Sequence, residues 1–277
     1  MSTVVTDLGR STAATPWRAR ARHATQAIAD TLLVGATLLG EMPFLDHLEE
    51  LRRRLIKCLI ALAVSTTICL TYTAEIIAFL IRPAATSGIP IVAIEATEVF
   101  SVYFKVALAA GICLAAPVIL WQVWRFIEPA LYKHEKRYAV PFIISTTFCF
   151  VAGSVFGYVI VAPWLLQLER VMALAAHISF TMSAESYLGM LTVTVVAMGA
   201  IFEMPPVIFI LSRIGLVSAK FLIRNFKYAL VLFSIAAALL TPSTQPPPML
   251  FFMAVMIGIY VVSIVVAMVF GRARKTE

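Results

Sequence analysis

Trp121-Gln-Val-Trp-Arg-Phe-Ile-Glu-Pro-Ala-Leu-Tyr-Lys-His-Glu-Lys-Arg-Tyr-Ala-Val-Pro-Phe142 is a short polar island between two long apolar runs. It carries Arg125, Glu128, Lys133, His134, Glu135, Lys136 and Arg137. An excess of Lys and Arg in a short connection between apolar segments places it on the cytoplasmic side of a membrane. Glu135 stands out as a carboxylate among cations. A solvated surface carboxylate with basic neighbours usually contributes little, so spacing alone assigns it no task.

Working outward, composition agrees with a membrane. Of 277 residues, 61% are hydrophobic and 13% charged. Soluble domains carry about 25% charge, so lipid is the expected solvent. The net charge is +7. Apart from Arg82, Lys105 and Arg170, the basic residues fall in the N-terminal region, two loops and the C-terminal tail. Such asymmetry orients a membrane protein and does not imply nucleic-acid binding. Cys58, Cys69, Cys113 and Cys149 all lie in apolar runs with no CxxC spacing. They point to neither a disulfide framework nor a metal site, and no cofactor is expected.

Residues 1–42 are expected to form a disordered basic arm that touches anionic lipid. Pro43 suits the first turn of a helix. Along that helix Glu49 faces Arg53 and Glu50 faces Arg54, pairs worth only a few tenths of a kcal/mol (~0.2–0.5). Leu45, Leu48, Leu51 and Leu55 form one apolar stripe, which predicts a helix lying on the membrane surface with Arg52 at the headgroups. Spans are then expected at 55–72, 99–124, 138–161, 186–211, 228–240 and 249–270. Lys105 can snorkel from inside the second span. Between Glu75 and Glu98 the chain holds Pro83, Gly88 and Pro90, which predicts a structured outer cap. Gly153 and Gly157 have small-xxx-small spacing, a close-packing signal. Residues 163–176 read as an amphipathic surface helix. Pro246-Pro247-Pro248 should form an outer turn, because proline breaks a helix interior. The expected fold is therefore an all-α integral membrane protein: six transmembrane helices over residues 43–270, both termini cytoplasmic, and a basic tail at 271–277.

Glu203 is the most informative single residue. It lies ten residues before Arg213, about 15 Å deep in a helix. A charge at the bilayer centre costs about 2.5–3.5 kcal/mol on insertion scales. Pro205 and Pro206 deprive the carbonyls of Ile201 and Phe202 of their helical donors, so Glu203 could cap that break as a protonated acid. Gly189, Thr192, Val196, Gly199 and Glu203 recur at three- and four-residue steps. The stripe suits a polar contact with a partner helix.

Four stretches carry a resemblance: Phe126-Ile-Glu-Pro-Ala-Leu-Tyr-Lys-His-Glu-Lys-Arg137, Phe44-Leu-Asp-His-Leu-Glu-Glu-Leu-Arg-Arg-Arg-Leu-Ile56, Phe202-Glu-Met-Pro-Pro-Val207 and Leu240-Thr-Pro242. Taken in chain order, these stretches resemble the TatC family, the multi-span receptor subunit of the twin-arginine protein translocase. The resemblance implies signal-peptide binding at Glu50, Arg52, Phe126 and Glu135, where carboxylates grip paired arginines. It implies that the acid matching Glu203, with Gly199 and Thr192 on its helix, lies where single-span TatA- and TatB-like partners dock, and that Pro83 belongs to the outer cap. It further implies self-association in a larger complex, contact with membrane lipid, drive by the proton-motive force, and a place in the bacterial cytoplasmic (inner) membrane rather than an organellar one. One departure is Ser243-Thr244-Gln245 after Thr241-Pro242, where the family usually has an acid.

Two other classes compete. His134-Glu135 would open an HExxH zinc motif, but position 138 is Tyr138. Asp7, Asp30 and Asp46 lie outside the spans and no GxSxG occurs, so an enzyme is not expected. A small-solute permease could use Glu203 as half of a midplane ion site, but no second ionisable residue sits at comparable depth.

Overall fold

The computed structural model describes residues 41–127, 139–177, 180–241 and 246–271. The chain divides into two compact units, Met1–Arg53 and Arg54–Glu277. Of the first, the described part is the start of α1, Glu41–Thr71. There Arg53 Nη2 donates to Glu49 Oε1 at 2.9 Å, with both side chains exposed. The surface helix and first span expected from the sequence form one helix. Nothing between Phe44 and Thr71 breaks it, since that run contains no Pro or Gly.

In the second unit, α2 (Thr73–Leu80) and α3 (Arg82–Thr86) lead through a two-residue strand, β1 (Ile91–Val92), into α4 (Ala96–Ile127). Then α5 (Ala139–Phe156) passes through a π turn at Gly157–Val161 into α6 (Ala162–Ala175). Strand β2 (Met182–Ser183) precedes α7 (Ala184–Ile201) and α8 (Met204–Arg213). The described chain closes with α9 (Ala219–Arg224), α10 (Phe226–Leu240) and α11 (Pro246–Phe270). Five segments are long and apolar enough to cross a membrane: His47–Thr71, Thr97–Phe126, Pro141–Ala175, Ala184–Arg213 and Pro246–Phe270. The remaining expected span, α10, has 15 residues, about 22 Å against a hydrocarbon core of about 30 Å.

Two boundaries differ from the sequence expectation, each for a reason in the prolines. The third span and the supposed surface helix at 163–176 are one continuous helical run. Pro163 has no N–H to give, and the widened turn before it, closed by Ala162 N–H on the Gly157 carbonyl, accommodates that loss without ending the helix. At 35 residues the run reaches about 52 Å, so it outlasts the hydrocarbon. Likewise Pro246-Pro247-Pro248 opens α11 instead of turning. First-turn residues have no intrahelical acceptor for an N–H, so proline forfeits nothing there.

Helix α7 is the most enclosed element. Tyr187, Leu188, Leu191 and Met198 are at most 1% exposed. Its closeness to α5 depends on glycine. A Cβ on Gly153 would lie 2.7 Å from Phe202 Cβ, and one on Gly199 would lie 2.9 Å from the Phe150 ring. Gly157 sits equally close to the α7 backbone, with Thr194 O 3.1 Å from where its Cβ would be. Helix α1 meets α4 similarly, with Ser65 Oγ donating to the Gly111 carbonyl at 2.8 Å.

One end of this bundle carries a cap. Strands β1 and β2 pair in parallel, Ile91 with Met182 and Val92 with Ser183. Tyr187 Oη donates to the Leu80 carbonyl at 2.7 Å, Tyr158 Oη to Phe79 at 2.8 Å and Arg170 Nη1 to Ser87 at 2.7 Å. Pro83 stands in the first turn of α3, and its carbonyl accepts from Ser87 Oγ at 2.8 Å. The other end carries Arg125 and Arg213 in the last turns of α4 and α8.

Gly153→Leu should force α5 and α7 apart and destabilise the chain by about 1–3 kcal/mol. Gly258→Leu, where nothing lies within 4 Å of a new Cβ, should not. Thermal unfolding in detergent reads both, and equal midpoints would contradict the α5–α7 packing.

Candidate functional site

The helix entered at Ala184 stops at Ile201 and restarts at Met204. Pro205 and Pro206 offer no N–H to the carbonyls one turn back. The chain crosses the gap with a tight turn: Phe202 N–H reaches Met198 O at 3.0 Å and Glu203 N–H reaches Ala200 O at 3.2 Å. Glu203 therefore sits at the break. Both its carboxyl oxygens are buried, and neither has a hydrogen-bond partner among the described residues. The capping role open to a protonated Glu203 is not adopted. A buried, unsatisfied polar group costs about 1–3 kcal/mol, more when charged, so packing among the described residues does not explain the position. A cavity of about 430 Å³ opens just beyond it, lined by Ser145, Cys149, Pro205, Pro206 and Phe209 among others.

The small-residue stripe divides around α7. Gly189, Thr192 and Val196, with Ala197 and Ala200, line a cleft of about 830 Å³ against Leu108, Ala109 and Ile112 of α4. Gly189 meets nothing within 4 Å of a Cβ. Thr192 Oγ1 is already bonded, donating to Leu188 O at 2.7 Å, so it offers the cleft a methyl group and an acceptor. Gly199 faces away, against Phe150 and Ser154 of α5. Glu203 is not among the residues lining the cleft. Charged side chains gather at the cap end of the cleft: Lys105, Glu169 and Glu185. Lys105, read from sequence as a snorkelling cation, pairs with Glu185.

The residues proposed for signal binding are distributed as follows. Glu50, half-buried, and Arg52, exposed, lie on α1 in the first unit. Phe126 is half-buried in the last turn of α4 in the second. Beside it Trp124 is 1% exposed and stacks at a tilt on Phe142, ring centroids 4.7 Å apart, which anchors the end of α4. Glu135 and the segment after Thr241-Pro242 lie outside the described residues. Sequence reasoning missed Glu98 and Glu185. Their signal was available: each is an acid two or three residues into a helix whose entry carries unpaired N–H groups.

Five segments long and apolar enough to cross a membrane, a broken helix with a buried carboxyl at the break and a cleft between helices define a multi-span helical membrane protein. Residues 46–255 match the family model for the Sec-independent protein translocase protein TatC. A relative of that description from Koribacter versatilis (strain Ellin345) is 37% identical, over 83% of this chain and 86% of its own. One from Deinococcus radiodurans is 35% identical, over 84% and 88%. A crystal structure described as the twin arginine translocase receptor TatC superposes with a TM-score of 0.75 at 31% identity, covering 82% of this chain and 100% of that one. The chain belongs to the TatC family and is a component of the Sec-independent protein translocase.

Because Glu203 has no hydrogen-bond partner among the described residues, Glu203→Leu should leave the melting temperature of the isolated chain unchanged or raise it. A fall of several degrees would mean that the carboxyl is bonded in the free protein.

Proposed function

We propose that this chain is the receptor and core subunit of the twin-arginine translocase: it binds folded precursors by an Arg-Arg signal and then gathers single-span TatA- and TatB-like subunits. The observation that carries this reading is the carboxyl of Glu203, buried at a helix break with no hydrogen-bond partner among the described residues. A group left in that state is suited to being completed by another helix. The proton-motive force supplies the energy, no bond is made or broken by this chain, and the membrane is the bacterial cytoplasmic membrane. In this reading α10 is the sixth span, the cap faces outward, and both termini lie with Arg125 and Arg213 on the inner side, as the distribution of Lys and Arg favours.

Signal recognition falls to Glu50 and Glu135. A guanidinium offers a planar fork of donors and a carboxylate accepts two of them. Lysine, a point charge without the fork, is a poorer substitute. Arg52 and Phe126 stand in the same two motifs. Phe126 would offer an apolar surface beside the buried Trp124, and Arg52 would hold the entrance of α1 at the headgroups. The signal's apolar segment packs along the spans, and the cleft between α4 and α7 gives it a place. Thr192 contributes to that wall and Gly199 keeps α7 close to α5.

Charge-assisted hydrogen bonds contribute about 1.5–3 kcal/mol, so Glu50→Gln or Glu135→Gln should weaken Arg-Arg signal crosslinking by roughly 10- to 150-fold while the protein still inserts. Wild-type crosslinking in the double variant would reject the assignment. Glu203→Ala should spare signal crosslinking and lower the yield of co-purified single-span subunits. An unchanged yield would reject the docking role of Glu203.

A further inference from the structure

Glu98 lies in the first turn of α4 and is 4% exposed. Its Oε2 accepts from Ile94 N–H at 2.7 Å and from Glu95 N–H at 3.3 Å, the entry of its own helix. Its Oε1 accepts from Glu185 N–H at 2.6 Å, in the first turn of α7. One carboxylate thus serves the N-terminal ends of two helices, where N–H groups lack intrahelical partners and negative charge is favoured. The contact is returned. Glu185 Oε1 accepts from Ser101 Oγ at 2.9 Å and from Lys105 Nζ, both on α4. Ser183 completes the joint by accepting Ser186 N–H at 3.1 Å.

Two carboxylates therefore cross between the same two helices in opposite directions, at the cap end of the cleft that those helices wall. Ordinary caps satisfy one helix each and leave neighbours free to shift. Here, moving α4 from α7 would strip Glu98 of one donor and Glu185 of two at once. Lys105 and Glu185 also line the cleft, so the joint sits at its mouth. We propose that Glu98 and Glu185 form a reciprocal clamp that sets the α4–α7 spacing, and that they act as positioning residues for the apolar segment seated in the cleft. The second half rests on the proposed function; the first does not.

The side-chain chemistry supplies the variants. Glu98→Asp keeps a negative charge at the start of α4 but is one methylene too short to serve both helices. Glu185→Gln keeps an acceptor for Ser101 and removes the charge that holds Lys105. Lys105→Arg keeps the cation and serves as the conservative control. Spin labels at Ala109 and Val193, on opposite walls of the cleft, would be read by dipolar electron paramagnetic resonance in the full-length chain in bilayers, with the four native cysteines replaced. The Glu98→Asp and Glu185→Gln distance distributions should broaden toward longer values, and that of Lys105→Arg should match the wild type. Unchanged distributions in both carboxylate variants would overturn the clamp. A photocrosslinker at Val196 and an Arg-Arg signal peptide then read positioning, with thermal unfolding alongside. Crosslinking should fall several-fold in Glu98→Asp at temperatures where the variant stays folded, and be retained in Lys105→Arg. Altered spacing with unaltered crosslinking would overturn the positioning role. No crosslinking even in the wild-type chain would overturn that role together with the docking reading, leaving the spacing result to judge the clamp alone.

Discussion

A chain in hydrocarbon must satisfy its own backbone, because no water is present to do so. This constraint governs where the present structure can bend. Its long helices are continuous, and α4 carries Pro117 in its interior without ending. Three changes of form do fall at prolines: the π turn before Pro163, the start of α11 at Pro246, and the gap before Pro205 and Pro206. At the first two the loss is absorbed within the backbone. At the third a carboxyl sits in the gap, bonded to nothing that the described residues provide.

The same constraint explains what could be seen in the sequence. Apolar runs of the right length mark the five segments long enough to cross a membrane, and counting residues back from Arg213 places Glu203 one helix of ten residues away. Gly153 and Gly157, spaced four apart, marked the face on which α5 meets α7, because only a missing side chain allows such an approach. The motifs around Phe126 and Glu50 carry the family resemblance in the sequence alone.

Other features were not legible, for physical reasons. The effect of a proline depends on its place and surroundings: Pro117 is carried inside α4, a π turn leads into Pro163, and Pro246 opens α11 where no N–H is needed. The small-residue stripe on α7 looked like a single surface. A helix is packed on several sides, and neighbours decide which glycine is open: Gly189 faces the cleft while Gly199 is closed off by Phe150. Glu98 and Glu185 lie 87 residues apart, and no local pattern announces that their helix entries will meet.

Set side by side, two buried carboxyls in this chain receive opposite treatment. Glu98 is given three backbone N–H donors from two helices; Glu203 is given none among the described residues. An unsatisfied buried group costs far more than a replaceable hydrogen bond contributes, and an aliphatic side chain at position 203 would avoid the cost. The bare carboxyl is therefore hard to account for as an element of folding. It is accounted for if the completing group arrives from outside the chain, on a helix that reaches it through lipid. On the proposed reading, Glu98 belongs to what holds this chain in shape and Glu203 to what a partner helix would complete.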